Sequence, residues 1–303
     1  MTDISEESTV REHARFLVAL GNDEFSRVVR DCVDVAEGES EEAIRQIVTE
    51  ELEAHLAEQD TWPDELDTDR LHRAFRELDM AGIVARLDHA CCQRCGLSEI
   101  YEQFPPDEVR RGYVFAHRQD MQDAVRFGGL TLAYGVLSKG PQPPDAQAEI
   151  GREVAEALRR HGLEVDWNGD PRQRITVPLT WRRRRFGRLA EYPGAEPAPS
   201  DRPLLVSYTD KKRRVEQWKW IPASVPHARD VLLTTTPYDG SFMGFSHTSG
   251  AGFSAYWKPG PVLVAEVIGD LDGARPVSIS EAERLVSVLA REGRVALDDP
   301  AGE

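Results

Sequence analysis

Three of the chain's four cysteines, Cys91, Cys92 and Cys95, fall within five consecutive residues of "LDHACCQRCGLSEI", with His89 just before them. A thiol cluster this dense has three chemistries open to it: metal ligation, redox exchange and nucleophilic attack. The C-x-x-C spacing of Cys92 and Cys95 lets two thiolates of one tight turn meet a single ion. A tetrahedral zinc needs two further donors and the sequence has no second C-x-x-C, so Cys91, His89 and His117 are what remains. Adjacent side chains such as Cys91 and Cys92 tend to diverge, which makes a shared ion awkward for them. The metal set read from the sequence is Cys91, Cys92, Cys95 and His117, with zinc as the cofactor and His89 in reserve.

The redox reading uses the same residues. A strand precedes the run and a helix follows it, so the first thiol of C-x-x-C would sit at a helix N-terminus, where the dipole favours thiolate. Thioredoxin-like domains place their thiols this way, but "CQRC" lacks their tryptophan and proline flanks, and only Pro178 offers itself as a facing proline. A nucleophilic cysteine would use His117 as base and Asp120 to orient it. The plainer alternatives are that these cysteines are small buried residues at a corner, and that His117 and Asp120 form a local hydrogen-bonding pair.

Periodicity gives the elements that must hold this corner. "STVREHARFLVAL", "DEFSRVVRDCVDVA" and "SEEAIRQIVTEELEAHLAEQ" carry apolar residues three and four apart, with Ser40 placed to cap the third and Cys32 on the apolar stripe of the second. "DTDRLHRAFRELDMAG" is a further helix, capped by Asp67 or Thr68. Then come strand "GIVARL", the cysteines, a short helix in "GLSEIYEQF", strand "RGYVFAH", helix "QDMQDAVRF", strand "LTLAYGVL", helix "DAQAEIGREVAEALRRHG", and strands "LEVDWNG" and "RITVPLTW". "EYPGAEPAPSDRP" reads as a linker. Beyond it "PLLVSYT", "VEQWKWI", "DVLLTTT", "GFSAYWK" and "PVLVAEVI" are strands of an antiparallel sheet, and a last helix opens with Ser280 and Glu283 as a capping box.

The fold class expected is α+β. An acidic helical segment spans 1–61, a central domain with a helix-covered sheet and the CCxxC corner spans 62–190, a Pro-rich linker spans 191–203, and a β-rich α+β domain with a terminal helix spans 204–303.

Of the net charge of −16, nearly all lies in residues 1–70, which hold 21 Asp and Glu against 6 Lys and Arg. Such a block repels nucleic acid and anionic membranes and suits a basic protein partner. "WRRRRFGR" and "DKKRRVEQWKW" set basic residues beside aromatics, a pairing that can hold single strands, but a pI near 5.0 argues against nucleic acid as the ligand. The Arg run has the acidic helices as its alternative partner, and "DKKRR" reads as a hairpin turn. Trp218, Trp220 and Trp257 read as core or as a binding face, and Ser246 and His247 lack the glycine pattern of a nucleophile elbow. No apolar run is long enough for a membrane helix and "MTDISEESTV" has no export-signal character, so the cytoplasm is expected, where thiols stay reduced.

Residues 62–185 resemble an uncharacterised bacterial family of domains of unknown function. The likeness is carried by "DRLHRAFRELDMAGIVAR", "CCQRCGLSEI", "GYVFAHRQDMQDAV", "LTLAYG", "IGREVAEALRRHGLEVDWNGD" and "WRRR". It implies that Cys91, Cys92, Cys95, Gly96, Tyr113, His117, Asp120, Tyr134, Gly135 and Trp181 belong to the family pattern. It leaves His89 outside that pattern and brings no activity. The function these readings favour is a non-catalytic interaction or regulatory protein with a structural zinc at the corner. The competing class is a thiol-dependent enzyme.

Overall fold

Helices α1 (Ile4–Leu20), α2 (Phe25–Val33) and α3 (Glu41–Gln59) form on the stripes that the sequence marks. The Ser40 hydroxyl caps α3, accepting the Ala43 N–H at 3.2 Å, and Cys32 is fully buried among the apolar residues of the three helices. The computed structural model describes residues 4–137, 142–196, 202–269, 273–295 and 297, without the side chains of 4–8. Residues 197–201 of the expected linker lie outside the described residues.

A four-stranded sheet follows: β1 (Ile83–Arg86), β2 (Gly112–Phe115), β3 (Leu130–Val136) and β4 (Ile175–Val177), side by side in that order. β1 and β2 are parallel and the other pairs antiparallel. Its connections carry α5 (Gln93–Glu99), α6 (Arg118–Phe127) and α7 (Ala146–Arg160). α4 (Asp67–Met80) is locked to β1 by the buried Asp79, which accepts from Arg76, from Arg86 at 2.8 Å and from the Ala85 N–H. One apolar core runs from α1 through α4 and α7 to the sheet.

Several expectations are corrected here. α4 starts at Asp67, so Leu66 is its cap residue; the Leu66 N–H is satisfied by the Asp69 carboxylate at 2.8 Å, while Thr68 turns to the Arg182 carbonyl. "LEVDWNG" contributes one isolated bridge, Asp166 to Thr176, instead of a strand. Asn168 and Asp170 accept from nearby backbone N–H groups and wind the chain into a turn there.

The C-terminal part is an antiparallel sheet in the order β10-β9-β8-β7-β5-β6. Its strands are β5 (Leu204–Asp210), β6 (Val215–Ala223), β7 (Phe242–His247), β8 (Gly252–Lys258), β9 (Val262–Val267) and β10 (Arg275–Pro276). α8 (Val225–Thr234) and α9 (Ile279–Glu292) pack on it around a core of their own. "DVLLTTT" lies mostly in α8 and not in a strand, because Ser224 caps the helix, Pro226 sits in its first turn, and Ala228, Val231 and Leu232 make a helical stripe. In α9 the cap is Ser278 rather than Ser280, which frees Glu283 to pair with Arg73 of α4 at 2.8 Å. Trp257 is core, whereas Trp218 and Trp220 stand exposed on the edge strand β6.

Candidate metal centre

After Arg86 the chain bends through Asp88 and Ala90, both left-handed at φ +53° and +61°. The loop is stitched to the end of β2: the His89 N–H donates to the Ala116 carbonyl (2.9 Å), and the Arg118 N–H to that of Ala90 (3.0 Å). This leaves Cys91 exposed and makes Cys92 the cap residue of α5, its carbonyl accepting the Gly96 N–H at 2.9 Å. Cys95 follows on the first turn of α5, half-buried like Cys92. Gly96 is needed because the helix presses on β2, and a Cβ there would sit 2.6 Å from the Phe115 ring.

All three sulfurs lie within 4.8 Å of one another, so the divergence expected of Cys91 and Cys92 does not occur. The extended backbone of Cys92 (φ −154°, ψ 169°) lies between them. Hydrogen bonding splits their acidities. The Cys92 thiol is drawn down, first by the Cys95 backbone N–H and then by the Cys95 and Cys91 side chains. Cys95 is pushed up to about 11, first by its hydrogen bond to Cys91 and then by that to Cys92. The first proton leaves readily; later ones leave a crowded anionic cluster, whose repulsion a cation relieves.

The imidazoles face elsewhere. His89 is buried edge-on against Phe115, and its Nε2–H donates to the Gly96 carbonyl at 3.1 Å, so the ring braces α5 from beneath. Burial holds it below its ordinary pKa. His117 caps α6: its Nδ1 accepts the Asp120 N–H at 3.3 Å while the Asp120 carboxylate accepts the His117 N–H at 3.0 Å. Asp120 is held in turn by Arg174 at 2.6 Å. Among the described residues, the set of ligand atoms mutually within 4.8 Å contains the three sulfurs and neither imidazole. Tyr134 donates to the Asp170 carbonyl and packs edge-on against Trp167, and Trp181 donates to the Ala19 carbonyl at 3.0 Å, which ties β4's extension to α1.

Behind the cysteine loop lies a cavity of about 410 Å³, lined among others by His72, Arg76, Asp88, Arg183 and Arg213. Arg183 and Arg213 belong to the two basic runs of the sequence, whose pattern points to no site. His72 and Arg76 sit inside a helix and carried no signal of their own.

Among the described residues no helix is long and apolar enough to cross a membrane. No curated protein and no solved structure matches the chain. A family model described as a domain of unknown function matches residues 4–185, taking in α1 to α3 as well as the cysteine corner and the Arg run. The chain therefore belongs to that family, DUF6891.

Proposed function

We propose that the protein is a non-catalytic regulatory or interaction protein whose Cys91–Cys92–Cys95 corner holds a soft metal ion, zinc in the first instance. The observation that carries this reading is the convergence of three sulfurs within 4.8 Å. Three thiolates bound to one zinc at ~2.3 Å in tetrahedral geometry stand about 3.8 Å apart, so small side-chain rotations close the set. His117 is the fourth ligand read from the sequence; reaching the ion requires it to leave the α6 cap, and a water or a partner's donor can take that position instead. An ion there would add to the hydrogen bonds that already stitch the 87–99 loop to β2, fixing the exposed Cys91 end that those bonds leave free. Reduced thiols suit a cytoplasmic setting. The acidic face of α1 to α3 is the surface offered to a protein partner. The division at residues 61/62, 190/191 and 203/204 belongs to the same reading, supported for 204–303 by its separate core, while 1–61 shares its core with the central domain.

Native mass spectrometry of the full chain with and without chelator, coupled to counting of reactive thiols, tests this. One zinc per chain, lost together with thiol protection in Cys92→Ser, is the expected result. A chain that takes up no zinc, or takes up as much when all three cysteines are serine, overturns it. Metal-free chain in which Cys92 alone is alkylated by iodoacetamide far below the usual thiol range would favour the thiol enzyme.

A further inference from the structure

The cavity behind the cysteine loop is built by both halves of the chain. α4 gives it His72 and Arg76, the Arg run gives Arg183, the β5–β6 turn gives Lys212 and Arg213, and the end of α8 gives Thr234. Its volume of about 410 Å³ suits a small organic molecule.

Positive charge gathers there in excess of the carboxylates that pair with it. Arg76 is paired with Asp79 at 3.1 Å and Arg183 stands 3.9 Å from Asp230. Among the described residues Lys212 and Arg213 make no ion pair; they donate to the backbone carbonyls of Glu102 and Asn22. On the acidic side the lining offers Asp23 and Asp88, and Asp88 is already engaged by Arg118 at 2.8 Å. The buried Nε of Arg76 and of Arg183 and the Nε2 of His72 have no hydrogen-bond partner, although each of the three residues is more than nine-tenths buried. Unpartnered buried polar atoms are costly and mark a place where a ligand completes the bonding. His72 also senses the surplus charge: burial, then Arg183, Arg76 and Arg213, hold its imidazole neutral. Phe75, Met121 and Trp181 add apolar wall for the body of a ligand.

We infer that this cavity binds a small molecule through an oxyanion head, a phosphate or a carboxylate, received by the Arg76–Arg183–Arg213 guanidinium groups and His72. Guanidinium forks match both head groups in geometry, and an anion between them offsets the surplus charge. Because Lys212 and Arg213 come from the C-terminal sheet and the other groups from the family domain, the ligand also clamps the two together. The inference is independent of the metal reading.

Isothermal titration calorimetry of the full chain with inorganic phosphate, AMP and citrate, at an ionic strength fixed with sodium chloride, tests it. Saturable one-to-one binding is expected, weakened about tenfold or more in Arg183→Gln and in the doubly substituted Lys212→Ala/Arg213→Ala chain. The double variant changes only turn residues, so it reports on binding even where Arg183→Gln fails to fold. AMP binding more tightly than phosphate assigns a phosphorylated ligand, and citrate binding most tightly assigns a carboxylate; phosphate saturating alone assigns the free anion. Heats that never saturate for all three probes, or affinity unchanged in the double variant, overturn the inference.

Discussion

Arg185 closes the last turn of α1: its Nη1 donates to the Val18 carbonyl at 2.8 Å, and its other nitrogens donate to the Asp23 and Leu189 carbonyls at 2.5 and 2.6 Å. A fully buried guanidinium thus joins the Gly21 N–H on a carbonyl of the last turn and satisfies two loop carbonyls, at the pole where the dipole favours a cation. Burial pulls its pKa down to about 10, still well above neutral pH. The same run binds the acidic helices elsewhere: Arg188 pairs with Glu24, and Arg184 lies 3.5 Å from Asp69. Replacing Arg185 by Ala strands the Asp23 and Leu189 carbonyls, leaves Val18 with the Gly21 N–H alone and opens a void, at a cost of about 3–5 kcal/mol. Arg185→Lys recovers little, because an ammonium cannot reach three carbonyls in a planar fork. Urea unfolding followed by circular dichroism measures both; an Ala variant within about 1 kcal/mol of the parent would remove Arg185 as the clamp.

That relationship shows what the sequence yields and what it withholds. The stripes of α1 to α4 and the Ser40 cap are local patterns and can be read directly, as can the alternation that marks the strands. The Arg run was legible as a partner for the acidic helices, but its actual partners are largely backbone carbonyls, which no side-chain pattern announces. "DVLLTTT" misled because β-branched residues fit a strand, whereas the Ser224 cap three residues after "WI" and the sheet beneath decide for α8. At the site, the C-x-x-C was plain, and the joining of Cys91 to it depends on the extended Cys92 and the left-handed Asp88 and Ala90, conformations that only tertiary stitching to β2 sustains.

Cys32, Cys92 and Cys95 should separate by reactivity. Cys32 is fully buried, and burial pushes it up to about 12, so it is inert until the chain unfolds. Cys92 carries the lowered pKa and reacts ahead of Cys95, which is held at about 11. Iodoacetamide labelling of metal-free protein at neutral pH, mapped by peptide mass spectrometry, should return Cys92 ahead of Cys95, with Cys32 labelled only in denaturant. Labelling of Cys95 before Cys92 would mean that the hydrogen bonds run the other way.

Gly96→Ala tests how the loop is seated. The added Cβ would lie 2.6 Å from the fully buried ring of Phe115, on the β2 strand that β1 and β3 flank, so α5 must lift away. Overpacking of this kind costs about 1–3 kcal/mol, and the lifted helix takes Cys95 and the carbonyl that His89 holds with it. Zinc affinity should therefore fall by about tenfold or more along with stability, in the range found when groups supporting a metal site are disturbed. Competition against a colorimetric chelator reads the first and thermal unfolding the second. Lost stability with unaltered zinc affinity would separate the helix seat from the thiol geometry.

His227 gives the fold a pH limit. It is buried on α8, its ring stacked 5.0 Å from Phe186, and burial lowers it to about 4, with Arg202 adding to the shift. Between its folded value and the ordinary 6.5 the unfolded chain binds a proton that the folded chain does not. Stability from this group is therefore complete above about pH 6.5 and is lost as pH falls toward 4. From pH 7 to pH 5 the loss is about 2 kcal/mol. His55 is lowered to about 4 by the same burial and acts in the same direction, whereas Asp88, raised to about 6, favours folding as pH falls through that value and offsets part of it. Phenylalanine keeps the stack with Phe186 and needs no partner at the position of the unbonded Nδ1. His227→Phe should thus unfold at nearly the parent's urea midpoint at pH 7 and keep about 2 kcal/mol more stability than the parent at pH 5. Parallel pH profiles for the two proteins would place the acid sensitivity elsewhere than this α8 imidazole.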